Sequence, residues 1–486
     1  MPTYVNSINI SHPADQYING KWVPAKGGRR ADVIDPSTEE RYEGFVLGGV
    51  EDAEAAIAAA RKAFDAGEWS SMDPEERGEL IKKAAKLLEA RHEELEVAWT
   101  AQTGAIIGAR ARAVNNGLGH LHRAADMAQN YVFEKRHKST IGDAVIREEP
   151  VGVVAAIAAW NGTLLQATNK IGPALAAGCT VVFKPAPSTP MEAKIIAECF
   201  DAAGIPAGVI NIVLLTDEAA DKLITDSRVD KVAFTGSTAV GRHIATTLGG
   251  RIGRYALELG GKSAAIVLDD ANIAGVGKQM ARTITALSGQ LCCMLSRLIV
   301  TKNRHDELAD AIAAEMANVK QGSSHNPETE MGPMALERQL RSVEEKVAAA
   351  KAEGATLVYG GGRPAHLDTG FFLQPTLFSN VDPAGSLAQK EVFGPVLALI
   401  KAENEEDAVS IANNSIYGLH GAVFTPDKER ALKIARRIRT GTFAQNGMKL
   451  DFALPFGGYK QSGIGREGGE DSIKQYLEIK TILLDN

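Results

Sequence analysis

The spacing of apolar positions changes character along the chain. Before residue 150 the pattern is helical. In "SMDPEERGELIKKAAKLLEARHEELEVAW", Leu80, Ile81, Ala84, Leu87 and Leu88 recur at the intervals of one helix face. Asp73 stands at an N-cap position, Pro74 at the first helical position and Glu76 at capping-box spacing. One long helix is predicted, its charged side solvated. From 150 onward, short apolar runs alternate with helical stretches. "VGVVAAIA", "TVVFKP", "GVINIVLL" and "DKVAFTG" read as strands. "LLQATNKIGPALAAG", "PMEAKIIAECFDAAG" and "TAVGRHIATTLGG" read as helices, the first with a kink expected at Gly172–Pro173. Such alternation predicts a parallel sheet with helices on its faces. A second α/β series runs from "AAIVL" through "SRLIVT" and "ATLVYGG" to "GAVFT", after a crossing near residue 260. Two strand-like segments, 138–150 and "QYLEIKTILLD", fit neither series. A strand projecting from a globular body usually pairs with something, such as a partner subunit.

Composition narrows the class. The 486 residues allow about three modules of roughly 150 residues, or two large α/β domains. Hydrophobic residues make up 45% and charged residues 23%, the balance of a soluble globular protein. A net charge of −7 argues against a nucleic-acid or polybasic membrane surface. The longest apolar stretch, "VGVVAAIAAW", is too short to span a bilayer. The first twenty residues carry no secretory pattern, so a cytoplasmic setting is expected. Four cysteines are no disulfide framework, and no Cys/His cluster has zinc spacing, so no metal is expected. His120 and His122 read as ordinary helix residues.

Chemistry concentrates in a few fragments. "SGQLCCMLSR" holds adjacent cysteines, Cys292 and Cys293. A lone cysteine is more often a small buried hydrophobe than a nucleophile. Four neighbours in function shift that balance. Asn161 follows an apolar strand, where its amide could donate to a developing oxyanion. Glu258 sits between Leu257 and Leu259, where burial would raise it towards a general base's range. Lys184 ends a strand and suits ribose or phosphate. Gly236 and Ser237 lie between a strand and a helix, an anion-binding geometry. "GIGREG" at 463–468 matches G-x-G-x-x-G but follows a loop, so it is not read as a dinucleotide fingerprint.

These fragments, with "WN" at 160–161, "KPA" at 184–186, "FTGS" at 234–237, "ELGGK" at 258–262, "GQLC" with Arg297 five residues on, "EVFGPV" at 391–396 and "PFGGYKQSGIGRE" at 455–467, occur in order. By them the chain resembles the aldehyde dehydrogenase superfamily along essentially its whole length. The resemblance implies an α/β protein: a Rossmann-like cofactor-binding domain (1–127 and 149–259), an α/β catalytic domain (260–470) and a small β oligomerisation arm (128–148 and 471–486), assembled as a homodimer or homotetramer. It makes Cys292 the nucleophile, Glu258 the general base, Asn161 the oxyanion amide, and Lys170 and Glu467 a proton relay. It assigns Trp160, Lys184, Ala186, Pro187, Gly236, Ser237, Gly241, Leu259, Gly260, Glu391 and Phe393 to the cofactor, NAD or NADP. Gly162, Asn169, Leu291, Cys293 and Phe456 are implied to line the aldehyde tunnel. The reaction implied is aldehyde oxidation to the acid through a Cys292 thiohemiacetal and thioester.

Three departures from the family pattern bear on specificity. Pro187 replaces a glutamate that commonly binds the adenosine ribose, which leaves NADP open beside the favoured NAD. Gly162 and Asn169 replace aromatic residues, which predicts a wide mouth for a bulky hydrophobic or aromatic aldehyde. The alternatives are that "GMKLDFAL" refills the space, and that the substrate is a semialdehyde or small aliphatic aldehyde. Leu287 replaces a common asparagine and has no functional reading. A CoA-acylating enzyme would not need Glu258, and a cofactor-free cysteine hydrolase would want a histidine near the nucleophile loop.

Overall fold

The computed structural model describes residues 8–485. Two sheets organise it. The first has eight strands in the spatial order Lys21–Pro24, Asp15–Ile18, Ile210–Ile212, Thr180–Lys184, Val153–Ile157, Lys231–Thr235, Arg254–Glu258 and Gly463–Ile464. The five from Ile210–Ile212 to Arg254–Glu258 are parallel. Every residue of Val153–Ile157 is buried. Val154 and Ala156 feed one core, while Val153, Ala155 and Ile157 feed another on the opposite face. A strand covered on both faces must be apolar throughout, which is why these runs show no alternation. The second sheet has seven strands between Ser263 and Gln445 and is built likewise. Ala264 and Ile266 face one cluster, Ala265 and Val267 the other.

A third sheet joins Glu134–Ser139, Gly142–Pro150 and Leu477–Leu484, all antiparallel. The two segments that fitted neither α/β series therefore pair with each other, from Leu477 opposite Pro150 to Leu484 opposite Asp143. Ile141, Ile479 and Leu483 are exposed there.

The expected long helix is two helices, Pro74–Glu89 and His92–Thr103. The Asp73 side chain caps the first through the Glu75 N–H. The break falls at Arg91 (φ −108°, ψ 24°), whose guanidinium reaches Glu94 and Glu198. "LLQATNKIGPALAAG" forms one helix, Thr163–Ala177, with Pro173 inside. "GVINIVLL" supplies only a three-residue strand, Ile210–Ile212. A 24-residue helix, Ile107–Asn130, carries His120 and His122. Gly463 and Ile464 return to the first sheet, antiparallel to Leu257 and Glu258, so "GIGREG" is an edge pairing rather than a strand-to-helix turn.

The order of strands reverses at Val153–Ile157: later strands add leftward through Thr180–Lys184 and rightward through Lys231–Thr235. In open α/β sheets the crevice beyond the carboxyl ends at such a point is where ligands bind. Trp160 and Asn161, Lys184, Gly236 and Glu258 all lie at or just past those ends. The second sheet meets them with its starts: Cys292 precedes Leu295–Thr301, and Glu391 and Phe393 precede Val396–Ala402.

Candidate active site

Cys292 is half-buried, and Cys293 is 3% exposed with its Sγ 3.9 Å from the Met448 Sδ. The loop before them is strained. Leu287 and Ser288 adopt left-handed φ values of 45° and 52°, each costing about 1–3 kcal/mol, so the surroundings must enforce them. Here they do. Ser288 Oγ donates to the Gly332 carbonyl at 2.7 Å. The buried Gln290 side chain donates to the Leu287 carbonyl at 2.9 Å and accepts from the Ala335 N–H at 2.9 Å. Arg297 is spent on structure: its guanidinium donates to the carbonyls of Lys262, Ile411 and Ala412.

The two glycines of "ELGGK" allow close approach. A Cβ at Gly260 would lie 2.4 Å from Glu391 Oε2, and one at Gly261 would lie 2.2 Å from the Cys292 carbonyl oxygen. Glu391 accepts from the Gly261 N–H at 2.9 Å. Burial raises Glu391 to about 7, against that hydrogen bond and Lys262. The Cys293 thiol, burial, and the carboxylates Glu391 and Glu258 push the Cys292 thiol well above its ordinary value. These contributions favour the neutral thiol in the resting site.

Glu258 is 6% exposed, and neither carboxylate oxygen has a hydrogen-bond partner among the described residues. Burial first, then repulsion from Glu467, raise it well above the usual carboxylate range; Lys170 opposes this. Lys170 is fully buried, donating to Glu467 at 2.5 Å and to Thr235 Oγ1 at 2.6 Å. Removing one partner of such a buried pair costs about 3–5 kcal/mol, because the other charge is stranded.

Asn161 directs its Nδ2 to the Gln290 carbonyl at 3.0 Å, two residues before Cys292. Its own carbonyl accepts from Trp99 Nε1 at 3.2 Å. Gly162 leaves open space, since a Cβ there meets nothing nearer than Gln166 Nε2 at 4.0 Å. Asn169 differs from expectation. It is buried, donates to Glu467 Oε2 at 2.9 Å and accepts from the Gly468 N–H at 3.1 Å. Its amide therefore supports the Lys170–Glu467 pair. Phe456 exchanges both backbone hydrogen bonds with Glu467 at 2.7 Å, and its ring lies 6.3 Å from Phe452. Leu291 is partly buried against the second sheet's core.

On the cofactor side, Trp160 and Phe393 meet edge to face, 5.4 Å apart. Lys184 is 7% exposed; burial lowers it, and Asp217 is the charge that opposes. Ala186 is buried and Pro187 half-buried. Ser237 caps the helix Thr238–Gly249, accepting from the Val240 N–H at 3.3 Å. Gly241 lets that helix close on Leu259, whose side chain would stand 2.5 Å from a Cβ there. An uncluttered helix start, a strand-end lysine and a neighbouring carboxylate fit the pyrophosphate and ribose of a dinucleotide.

Sequence reasoning missed Gln166, Trp99 and Glu192. Glu192 is 2% exposed; its Oε1 accepts from the Leu164 N–H, in the first turn after Gly162, at 3.3 Å, and its Oε2 has no partner among the described residues. Burial raises it to about 8 from 4.5. The folded state thus keeps a proton that the unfolded chain releases, and stability falls as pH rises from about 4.5 to about 8. Glu192→Gln is expected to raise the thermal midpoint at pH 8 and leave it unchanged at pH 4.5. Equal midpoints at pH 8 would count against a buried neutral carboxyl.

The chain is similar to known proteins along nearly its whole length. The model of the aldehyde dehydrogenase family matches residues 22–482. The 3-succinoylsemialdehyde-pyridine dehydrogenase of a Pseudomonas species is 40% identical, over 96% of this chain and 98% of its own. The geranial dehydrogenase of Castellaniella defragrans is 39% identical, over 96% and 98%. Among solved structures, a Mycobacterium tuberculosis aldehyde dehydrogenase complexed with NAD+ superposes with a TM-score of 0.94 at 40% identity, covering 97% of this chain and 98% of that one. A Staphylococcus aureus betaine aldehyde dehydrogenase in complex with NAD+ gives 0.96 at 36% identity, covering 99% and 96%.

Proposed function

The chain belongs to the aldehyde dehydrogenase family, and from that premise we propose that it oxidises bulky hydrophobic or aromatic aldehydes with NAD, using Cys292 as nucleophile. The thiolate adds to the aldehyde carbon. Asn161 Nδ2 and the Cys292 N–H hold the oxyanion. A bound nicotinamide supplies the hydride acceptor. Glu258 takes a proton from water, the water oxygen adds to the Cys292 thioester, and the acid leaves as the thiolate re-forms. Lys170 and Glu467 set the charge around Glu258. Trp160, Phe393 and Glu391 hold the nicotinamide end, and Lys184, Gly236, Ser237 and Gly241 the adenosine and pyrophosphate end.

The open space at Gly162 carries the substrate reading. Two relatives are named for a pyridine semialdehyde and for geranial, both larger than acetaldehyde. NAD is favoured because the solved relatives hold NAD+ and because Asp217, acting on Lys184, would repel a 2′-phosphate where Pro187 cannot. The exposed apolar residues of the three-stranded arm suit a second copy of the chain, as a dimer or tetramer. Four free thiols suit a reducing cytoplasm.

The test is a panel of aldehydes assayed with NAD and with NADP. Benzaldehyde and a ten-carbon unsaturated aldehyde are expected to exceed acetaldehyde in kcat/KM by about tenfold or more, the worth of one or two buried methylenes or more. Gly162→Phe is expected to erase that advantage. Equal kcat/KM for acetaldehyde and the bulky substrates would overturn the reading.

A further inference from the structure

We infer that Gln166 is a positioning residue, which fixes the end of the Asn161 amide that faces the nucleophile loop; the inference rests on Asn161 as the oxyanion donor. Three hydrogen bonds run in one direction. The Ala159 N–H donates to Gln166 Oε1 at 2.7 Å. Gln166 Nε2 donates to Asn161 Oδ1 at 2.8 Å. Asn161 Nδ2 donates to the Gln290 carbonyl at 3.0 Å.

The direction is set by the ends of the chain. A backbone N–H can only donate, so the Gln166 carbonyl oxygen must face Ala159. That turns its Nε2 towards Asn161, where only an acceptor is satisfied. A backbone carbonyl can only accept, so the Gln290 oxygen demands the Asn161 NH2. Flipping either side-chain amide places two like groups together at both of its contacts. Asn161 Nδ2 keeps a second hydrogen, which is free for the oxyanion.

Local structure makes the reach feasible. Gln166 lies in the first turn of Thr163–Ala177, with its N–H on the Gly162 carbonyl at 3.0 Å. Its side chain passes back beside Gly162, where a Cβ would stand 4.0 Å from Nε2. The residue that leaves the mouth open thus also leaves room for this side chain.

Gln166→Glu and Gln166→Met test the inference. An ionised glutamate still accepts from Ala159 but cannot donate to Asn161, so the asparagine amide turns over and presents its oxygen to the oxyanion. A protonated glutamate restores the donor. With benzaldehyde and NAD, the ratio of kcat/KM to wild type for Q166E is expected to fall about 100-fold at pH 9 and to recover only as pH falls towards the ordinary glutamate range, since one misdirected oxyanion donor is worth roughly that factor. Q166M is expected to lose about tenfold at every pH. The Kd for NAD and the thermal midpoints should stay at wild-type values. A Q166E ratio within twofold of wild type at pH 9, or a Q166M value within twofold of wild type, would overturn the inference. Asn161→Ala runs in parallel. If it keeps wild-type kcat/KM, the oxyanion assignment fails; if it alone is impaired, only the Gln166 inference fails.

Discussion

Cys292→Ala is expected to lower aldehyde oxidation by about 10⁴-fold or more, the scale of removing a covalent nucleophile, while the Kd for NAD changes less than twofold. Cys293→Ala is expected to keep most of the activity. Adjacent thiols make this a sharp comparison. Cys292 is the more exposed of the two, and its carbonyl rests against Gly261, beside the Glu391 carboxylate. Cys293 is packed, with its sulfur on Met448. Asn161 donates to the Gln290 carbonyl, two residues upstream of Cys292. Steady-state production of reduced nicotinamide and calorimetric titration with NAD measure the two effects. Retained turnover in C292A, or its loss only in C293A, would reverse the assignment.

What could be read from the sequence follows from how local each signal is. Glu258 stands out because it interrupts an apolar strand, and the strand Arg254–Glu258 does end there, buried. The β-α-β alternation is legible because both faces of Val153–Ile157 are covered and no residue departs from the apolar pattern. Distant polar partners are not legible in this way. The helix break at Arg91 depends on Glu198, 107 residues later. Asn169 reads as lost bulk until its amide is seen on Glu467, 298 residues away. Gln166 offers only one hint: an amide five residues after Asn161, next to the apolar pair Leu164 and Leu165. Periodicity reports which way a side chain faces. It does not report which buried group waits there.

Glu258→Gln is expected to separate the two halves of the reaction. Glutamine keeps the volume of the carboxyl at a site 6% exposed, but it cannot take a proton from water. Attack by Cys292 and loss of hydride should still occur once, giving a burst of about one reduced nicotinamide per active site. Steady-state turnover should then fall by about 10²–10⁴-fold, the usual contribution of a general base. Hydroxylamine attacks a thioester without a base and should restore turnover. The pH dependence has a definite sign. Burial and Glu467 favour the neutral carboxyl, whereas proton acceptance needs the ionised form. Wild-type turnover should therefore rise with pH along a limb well above the usual carboxylate range. E258Q should lack that limb under hydroxylamine, because no residue at 258 then titrates. If E258Q gives no burst, Glu258 is needed to deprotonate Cys292 rather than only water. If E258Q turns over at the wild-type rate, the base lies elsewhere. The unpartnered carboxylate oxygens argue for water activation, since they leave both lone-pair edges free for a water between Glu258 and the thioester.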